Sequence, residues 1–264
     1  MTKWSIAAGF LAAALLPAPA FAQKGGTVTG QALWTGGAIP KNEEANVDKD
    51  KASCLRDGAI LKNELVIDPK TKGIKNVIVW LTDADPKKIN VPFADAAAKA
   101  WLAKNTTVEI DQPCCAFIPR IVPIVEGQKL LVRNSATIAH NISVLGGSAG
   151  PNFNQLMPPG TKFEHAGPIT ARIFPIGYSC SIHAWMKGYL FAIPSPYYAV
   201  TGPDGKFTLK DVPPGKYRLM AWQEKGGFLL LGPGGVAKKD RGVVIEVKAG
   251  ENKAPKVEIA KVDD

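Results

Sequence analysis

Short apolar runs separated by turn residues predict an all-β protein. The chain of 264 residues contains 26 Gly and 21 Pro, which leaves little room for long helices. Runs rich in Val, Ile, Leu, Tyr and Phe recur between these turn residues, the pattern expected of β-sandwiches. One segment departs from it. Ala94 to Lys104 consists almost wholly of good helix formers, and Asp95 stands where it can cap the helix or face its N-terminal dipole.

At the N-terminus, Lys3 precedes an uncharged run from Ser5 to Leu16, followed by Pro17-Ala18-Pro19-Ala20-Phe21-Ala22. A charged start, a short apolar stretch and small residues two apart are what export and cleavage need, so residues 1–22 are expected to be a signal peptide and the mature protein periplasmic or secreted. No later apolar run has the length of a membrane span. The remainder is long enough for one large or two small cored domains.

The formal net charge is +9, one unit of which belongs to Lys3. Between Asn105 and Ile193 six Lys and Arg stand against four Asp and Glu, so most of the excess lies in the flanks. Basic residues are not clustered with exposed aromatics, and the charge reads as a solvated surface, with no nucleic-acid partner expected.

The chemistry is concentrated in Tyr178-Ser179-Cys180-Ser181-Ile182-His183-Ala184-Trp185-Met186-Lys187-Gly188. A thiol, an imidazole and a thioether fall between two strand-like runs, Ala171 to Ile176 and Tyr189 to Ile193, so one loop can supply three ligands. Soft sulfur donors with imidazole favour copper, and a Cys and two His with a weak axial Met form the electron-transfer type of copper site. The second imidazole is expected from His140, in the alternating segment Ile138 to Val144 that follows the run Lys129 to Arg133 and the turn at Asn134-Ser135. Zinc sites seldom include a thioether, and the Cys-x-x-Cys-His sequence of covalent haem is absent.

On these residues, Cys180-x-x-His183-x-x-Met186-Lys187-Gly188 resembles the ligand loop of amicyanin, and Ala139-His140-Asn141-Ile142 the first-His strand of amicyanin and plastocyanin. The resemblance covers about Asn105 to Ile193. It implies a Greek-key cupredoxin sandwich holding one type 1 copper ion through His140, Cys180, His183 and Met186. It also implies that Asn141 ties the His140 strand to the ligand loop. One departure is Ala184, where such loops commonly have Pro. Some related proteins carry His where Pro119-Arg120 stands here.

The flanks resemble a different family. Tyr198 to Leu209, with its Asp204-Gly205 turn, and Val212-Pro213-Pro214-Gly215 leading into Tyr217 to Trp222 look like the carboxypeptidase regulatory-like domain, a transthyretin-like β-sandwich related to carbohydrate-binding folds. The first strand of that pattern is matched by Gly26-Thr27-Val28-Thr29-Gly30, and Gly73 to Leu81 supplies a second. The resemblance therefore implies an inserted copper module: residues 23–92 and 196–264 as the two parts of the regulatory-like sandwich, 93–104 as a helical linker, and 105–195 as the cupredoxin domain. The assembly resembles bacterial copper proteins labelled with methylamine utilisation.

Copper oxidases and nitrite reductases need a second copper centre built from several more imidazoles, and this chain has three His in all. With His165 expected to be an ordinary surface residue beside Glu164, and without a nucleophile motif, P-loop or dinucleotide fingerprint, an enzyme is not expected. The expected function is one-electron carriage to a redox partner protein such as a cytochrome or dehydrogenase, with His183 near the surface for docking. The alternatives are a binding or scaffolding module, or copper storage or delivery.

Copper binding requires Cys180 to stay a free thiolate, which leaves Cys54, Cys114 and Cys115 in an oxidising compartment. Adjacent Cys114 and Cys115 would point to opposite faces of an extended strand, so the pair expected is Cys54 with one of them. The residues themselves leave both choices open. The resemblance of Cys115-Ala116-Phe117 to the single-cysteine segment of the related copper proteins implies Cys54–Cys115, stapling the connection Lys41 to Asn63 onto the copper module.

Overall fold

The computed structural model describes residues 25–229 and 241–262; the expected signal peptide, residues 1–22, lies outside them. The fold is all-β. Ahead of the stretch that holds the candidate ligands come β1 (Gly26–Trp34), β2 (Val66–Ile67), β3 (Ile74–Lys75) and β4 (Ile78–Asp83), with a one-turn helix α1 (Lys51–Cys54). Helix α2 (Ala96–Lys104) then leads to β5 (Thr107–Asp111), β6 (Ile121–Val125), β7 (Lys129–Arg133), β8 (His140–Leu145), β9 (Asn152–Met157), β10 (Lys162–Glu164), β11 (Ile176–Ser179) and β12 (Lys187–Ile193). The C-terminal part adds β13 (Tyr198–Val200), β14 (Lys206–Val212), β15 (Gly215–Gln223), β16 (Gly227–Phe228), β17 (Val243–Val247), β18 (Gly250–Lys253) and β19 (Val257–Ile259).

Four sheets stack in layers. The outermost holds β14, β1 and β18 in that order with β19 also on β1; the next holds β13, β4, β15 and β16, with β17 on β15. Beyond them lie a five-stranded sheet in the order β6, β12, β11, β8, β9 and a three-stranded sheet in the order β10, β7, β5.

The period-2 alternation of side chains explains the stacking. Val79, Leu81, Leu219 and Ala221 point into one core with Val28, Ala32, Phe207, Leu209 and Val257. Their neighbours Ile78, Trp80, Met220 and Trp222 point the other way, onto Ile121, Val125, Phe191 and Ile193. Val122, Ile124, Leu190 and Ala192 in turn face a third core that includes Cys180 and Met186. Strands buried on both faces read as unbroken apolar runs, which is why Ile78 to Leu81 and Leu190 to Ile193 show no polar alternation. At the middle seam Phe191 packs on Trp222 with ring centroids 4.9 Å apart and on Trp80 at 5.7 Å, tilted geometries that add to area burial. Arg120 closes the same seam with a paired hydrogen bond to Glu224, both at 2.7 Å. Arg120 is thus engaged as an ion-pair partner beside the ligand loop, where it also donates to the Lys187 carbonyl at 3.2 Å.

The helix expected from Ala94 starts at Ala96, because Asp95 is its cap and accepts from the Ala98 N–H at 2.9 Å. The Asp204-Gly205 turn is present: Gly205 has φ +73°, and a side chain there would collide with the Ala32 carbonyl. Three expectations need correction. The run Gly73 to Leu81 is two strands, since Asn76 takes a left-handed conformation (φ 63°) between β3 and β4. Ala171 to Ile176 is not a strand: Ala171 N–H is taken by the Glu126 carboxylate at 2.6 Å, and β11 begins only at Ile176. Cys114 and Cys115 do not lie in an extended strand either, because Cys115 is left-handed (φ 46°) in the bend between β5 and β6.

Candidate metal centre

His140 opens β8, and Cys180 follows the last residue of β11, the two strands being antiparallel neighbours with Ser179 opposite Ser143. That pairing carries the two side chains to the same end of the sheet. The loop from Cys180 to Met186 then folds on itself. Cys180 N–H donates to the Met186 carbonyl at 3.1 Å, and Met186 N–H donates to the His183 carbonyl at 2.9 Å. Gly188 lets the loop return into β12, since a side chain there would strike the Tyr178 ring.

Asn141 makes the ties expected of it. Its Oδ1 accepts from the Ser181 N–H at 2.7 Å and the Ile182 N–H at 3.3 Å, and lies 3.1 Å from Cys180 Sγ. The sulfur also accepts from the backbone N–H of Asn141 at 3.5 Å and of His183 at 3.4 Å. A sulfur surrounded by three such groups is held in position by the chain's own atoms.

The donor atoms of His140, Cys180 and His183 all lie within 4.8 Å of one another, and all three residues are buried. The two imidazoles meet through Nδ1 at 2.9 Å, and His183 Nδ1 is 4.0 Å from Cys180 Sγ. This span is what one ion with bonds of about 2.0–2.3 Å would bridge. Only one proton can sit between the two Nδ1 atoms, and the opposite nitrogen of His140, Nε2, is buried without a partner. Burial, then the neighbouring His183, pushes the His140 pKa down to about 4 against an opposing pull from Asp50. Two imidazoles beside a cysteine sulfur suit a metal that takes nitrogen and sulfur, and the donor set therefore fits copper. Met186 is buried in the same core as Cys180. His165 is not part of this group: it follows β10, half-buried where a surface residue was expected, and stacks on Phe153 at 4.9 Å.

His183 is not near the surface. Its side chain is 0% exposed, and its Nε2 lies 2.8 Å from Asp50 Oδ2. The cover is the connection from Lys41 to Asn63, a strap held by the Ala45 N–H to Ile60 carbonyl bond at 2.7 Å, the Lys62 N–H to Glu43 carbonyl bond at 2.8 Å and a Cys54–Cys115 disulfide. Val47, Cys54 and Cys115 bury one another with Ile138 and Trp185 at their edge. The Trp185 ring, 5.0 Å from that of His183, donates to the Cys115 carbonyl at 3.1 Å. Cys114 is a free thiol, 3.7 Å from Cys115 Sγ. Asp50 is the site residue that the sequence reading missed. In Asp48-Lys49-Asp50-Lys51 it looks like part of a solvated charge run.

No protein-family model matches the chain, and no curated protein matches it. Similar solved structures include a purple cupredoxin, an auracyanin and a copper-containing nitrite reductase. A purple cupredoxin from Nitrosopumilus maritimus is 21% identical over 32% of this chain and 98% of its own, with a TM-score of 0.27. Auracyanin from Roseiflexus castenholzii is 22% identical over 34% of this chain and 98% of its own, with a TM-score of 0.28. A copper-containing nitrite reductase from Thermus scotoductus is 18% identical over 33% of this chain and 22% of its own, with a TM-score of 0.29. The reading of the centre accordingly rests on its donor atoms and their surroundings. Among the described residues no helix is long and apolar enough to cross a membrane.

Proposed function

We propose that this protein is an exported one-electron carrier that binds a single type 1 copper ion through His140, Cys180, His183 and Met186. The observation that carries the reading is the meeting of two imidazole Nδ1 atoms and one thiol in a buried site, with the thioether of Met186 on the same loop. Bound there, copper would accept and release one electron. The chain's own residues do the rest. Asn141 and the loop N–H groups fix the sulfur, which limits how far the donors move between oxidation states. The core that includes Cys180 and Met186 packs β8, β11 and β12 together, and the middle seam holds the other face of β12. On this reading residues 105–195 form the cupredoxin unit, residues 23–92 and 196–264 the regulatory-like sandwich around it, and the partner is another periplasmic or secreted redox protein.

Loading the mature protein with copper tests the proposal. A thiolate and two imidazoles on Cu(II) give an intense colour that bleaches on reduction, and Cys180→Ser should remove that colour and the reversible redox wave. Wild-type protein that binds copper but stays colourless would defeat electron carriage and favour storage or delivery.

A further inference from the structure

We propose that Asp50 is a positioning residue for the copper centre: its carboxylate accepts the Nε2 proton of His183, fixes that ring with Nδ1 toward the metal, and links the buried ring to the surface. The inference rests on the electron-carrier reading for its redox consequence but not for its effect on the ring.

Three observations carry it. Asp50 is the cap residue of α1, where an Asp side chain ordinarily accepts a backbone N–H of the first turn. Here it makes no such bond and goes instead to His183 Nε2 at 2.8 Å, 133 positions along the chain. The residue is also held in the left-handed region, φ 46° and ψ 36°, a conformation that costs a non-glycine residue free energy. Finally, the carboxylate is 48% exposed while the imidazole is 0% exposed, so Asp50 links the buried ring to the surface. A helix bond forgone and backbone strain accepted at one residue, both in favour of a contact with a metal-ligand candidate, mark a placed group rather than a chance one.

The chemistry follows from the bond. A carboxylate on the far nitrogen of an imidazole selects the tautomer, orients the ring and makes its free nitrogen a stronger donor. It also adds negative charge beside the centre. Both effects favour the more highly charged metal ion, so Asp50 is expected to stabilise Cu(II) over Cu(I).

The test compares wild type with Asp50→Ala and Asp50→Asn. In the metal-free protein, nitrogen-15 NMR of the His183 ring should show Nε2 protonated in wild type, with the proton exchanging at least about tenfold faster in Asp50→Ala and near the wild-type rate in Asp50→Asn, whose amide oxygen still accepts. In the copper-loaded protein, both variants should lose about tenfold in preference for Cu(II), an upward shift of about 59 mV for one electron. Equal exchange rates in wild type and Asp50→Ala would overturn the positioning role, and unchanged potentials in coloured variants would overturn the electrostatic one. A colourless wild type would defeat the carrier reading, while the ring measurement would still decide for or against Asp50.

Discussion

Two segments meet over His183 and hold their shape by different means. The ligand loop is fastened locally: its own backbone bonds and the Asn141 side chain engage Cys180, Ser181, Ile182, His183 and Met186. The strap from Lys41 to Asn63 has backbone bonds of its own, such as Ala45 to Ile60 and Lys62 to Glu43, but it is fixed over the loop by a covalent anchor, Cys54–Cys115, by buried Val47 and by the Asp50 carboxylate on His183. The centre is therefore built by the loop together with His140 of β8 and covered by the strap, and removing the cover need not dismantle the site.

That contrast can be broken at its strongest point by replacing Cys54 and Cys115 together with Ser. The disulfide closes a loop of 61 residues, and its loss should lower stability by about 4 kcal/mol on the chain-entropy model, read as the unfolding free energy in denaturant. The copper colour of the folded fraction should persist, because the loop's own bonds are untouched. Loss of colour in fully folded protein would show that the strap shapes the centre as well as covering it.

A smaller effect is expected from the other segment. Asn141→Ala removes the acceptor of the Ser181 and Ile182 N–H groups, and leaving such groups unpaired costs about 1–3 kcal/mol. Unlike the cysteine pair, this change should alter the copper spectrum, because Cys180 Sγ loses a neighbour at 3.1 Å. An unaltered spectrum would mean that the backbone N–H bonds alone fix the sulfur. Least of all is expected from Lys62→Ala, which deletes an exposed ion pair with Glu43 in the strap. The unfolding midpoint should not move, and a clear drop would show the strap to be held by its surface charges.

How much of this was legible in sequence depended on distance along the chain. The grouping of Cys180 and His183 with His140 was readable because the two loop residues lie within one short segment, Cys180 to Met186, and His140 opens an alternating one. The β character and helix α2 were readable from local composition and a capping Asp. Strand breaks at Asn76 and before Ile176 were not, since each follows from a conformation or a side-chain acceptor that local composition does not announce. The burial of His183 and the role of Asp50 were furthest from view. Their contact spans 133 positions and exists only because the strap crosses the loop, and nothing in a run of alternating Asp and Lys distinguishes the one carboxylate that turns inward. The disulfide partner was indicated by resemblance, whereas the residues alone left two choices, and the actual bend places the Cys114 and Cys115 sulfurs side by side.

The pairing of β1 sets an order of events in time. Its neighbours in the sheet are β14, β18 and β19, beginning at Lys206, so a chain emerging from its N-terminus must carry β1, apart from the bridge of Leu33 to Gly73, without a strand partner until most of its length has followed. The sheets around His140 and Cys180 draw all their strands from Thr107 to Ile193 and have no such wait. Non-local pairing of this kind is slow. The outer sandwich is thus the last part of the molecule able to close, after every strand of the ligand-bearing sheets has already been made.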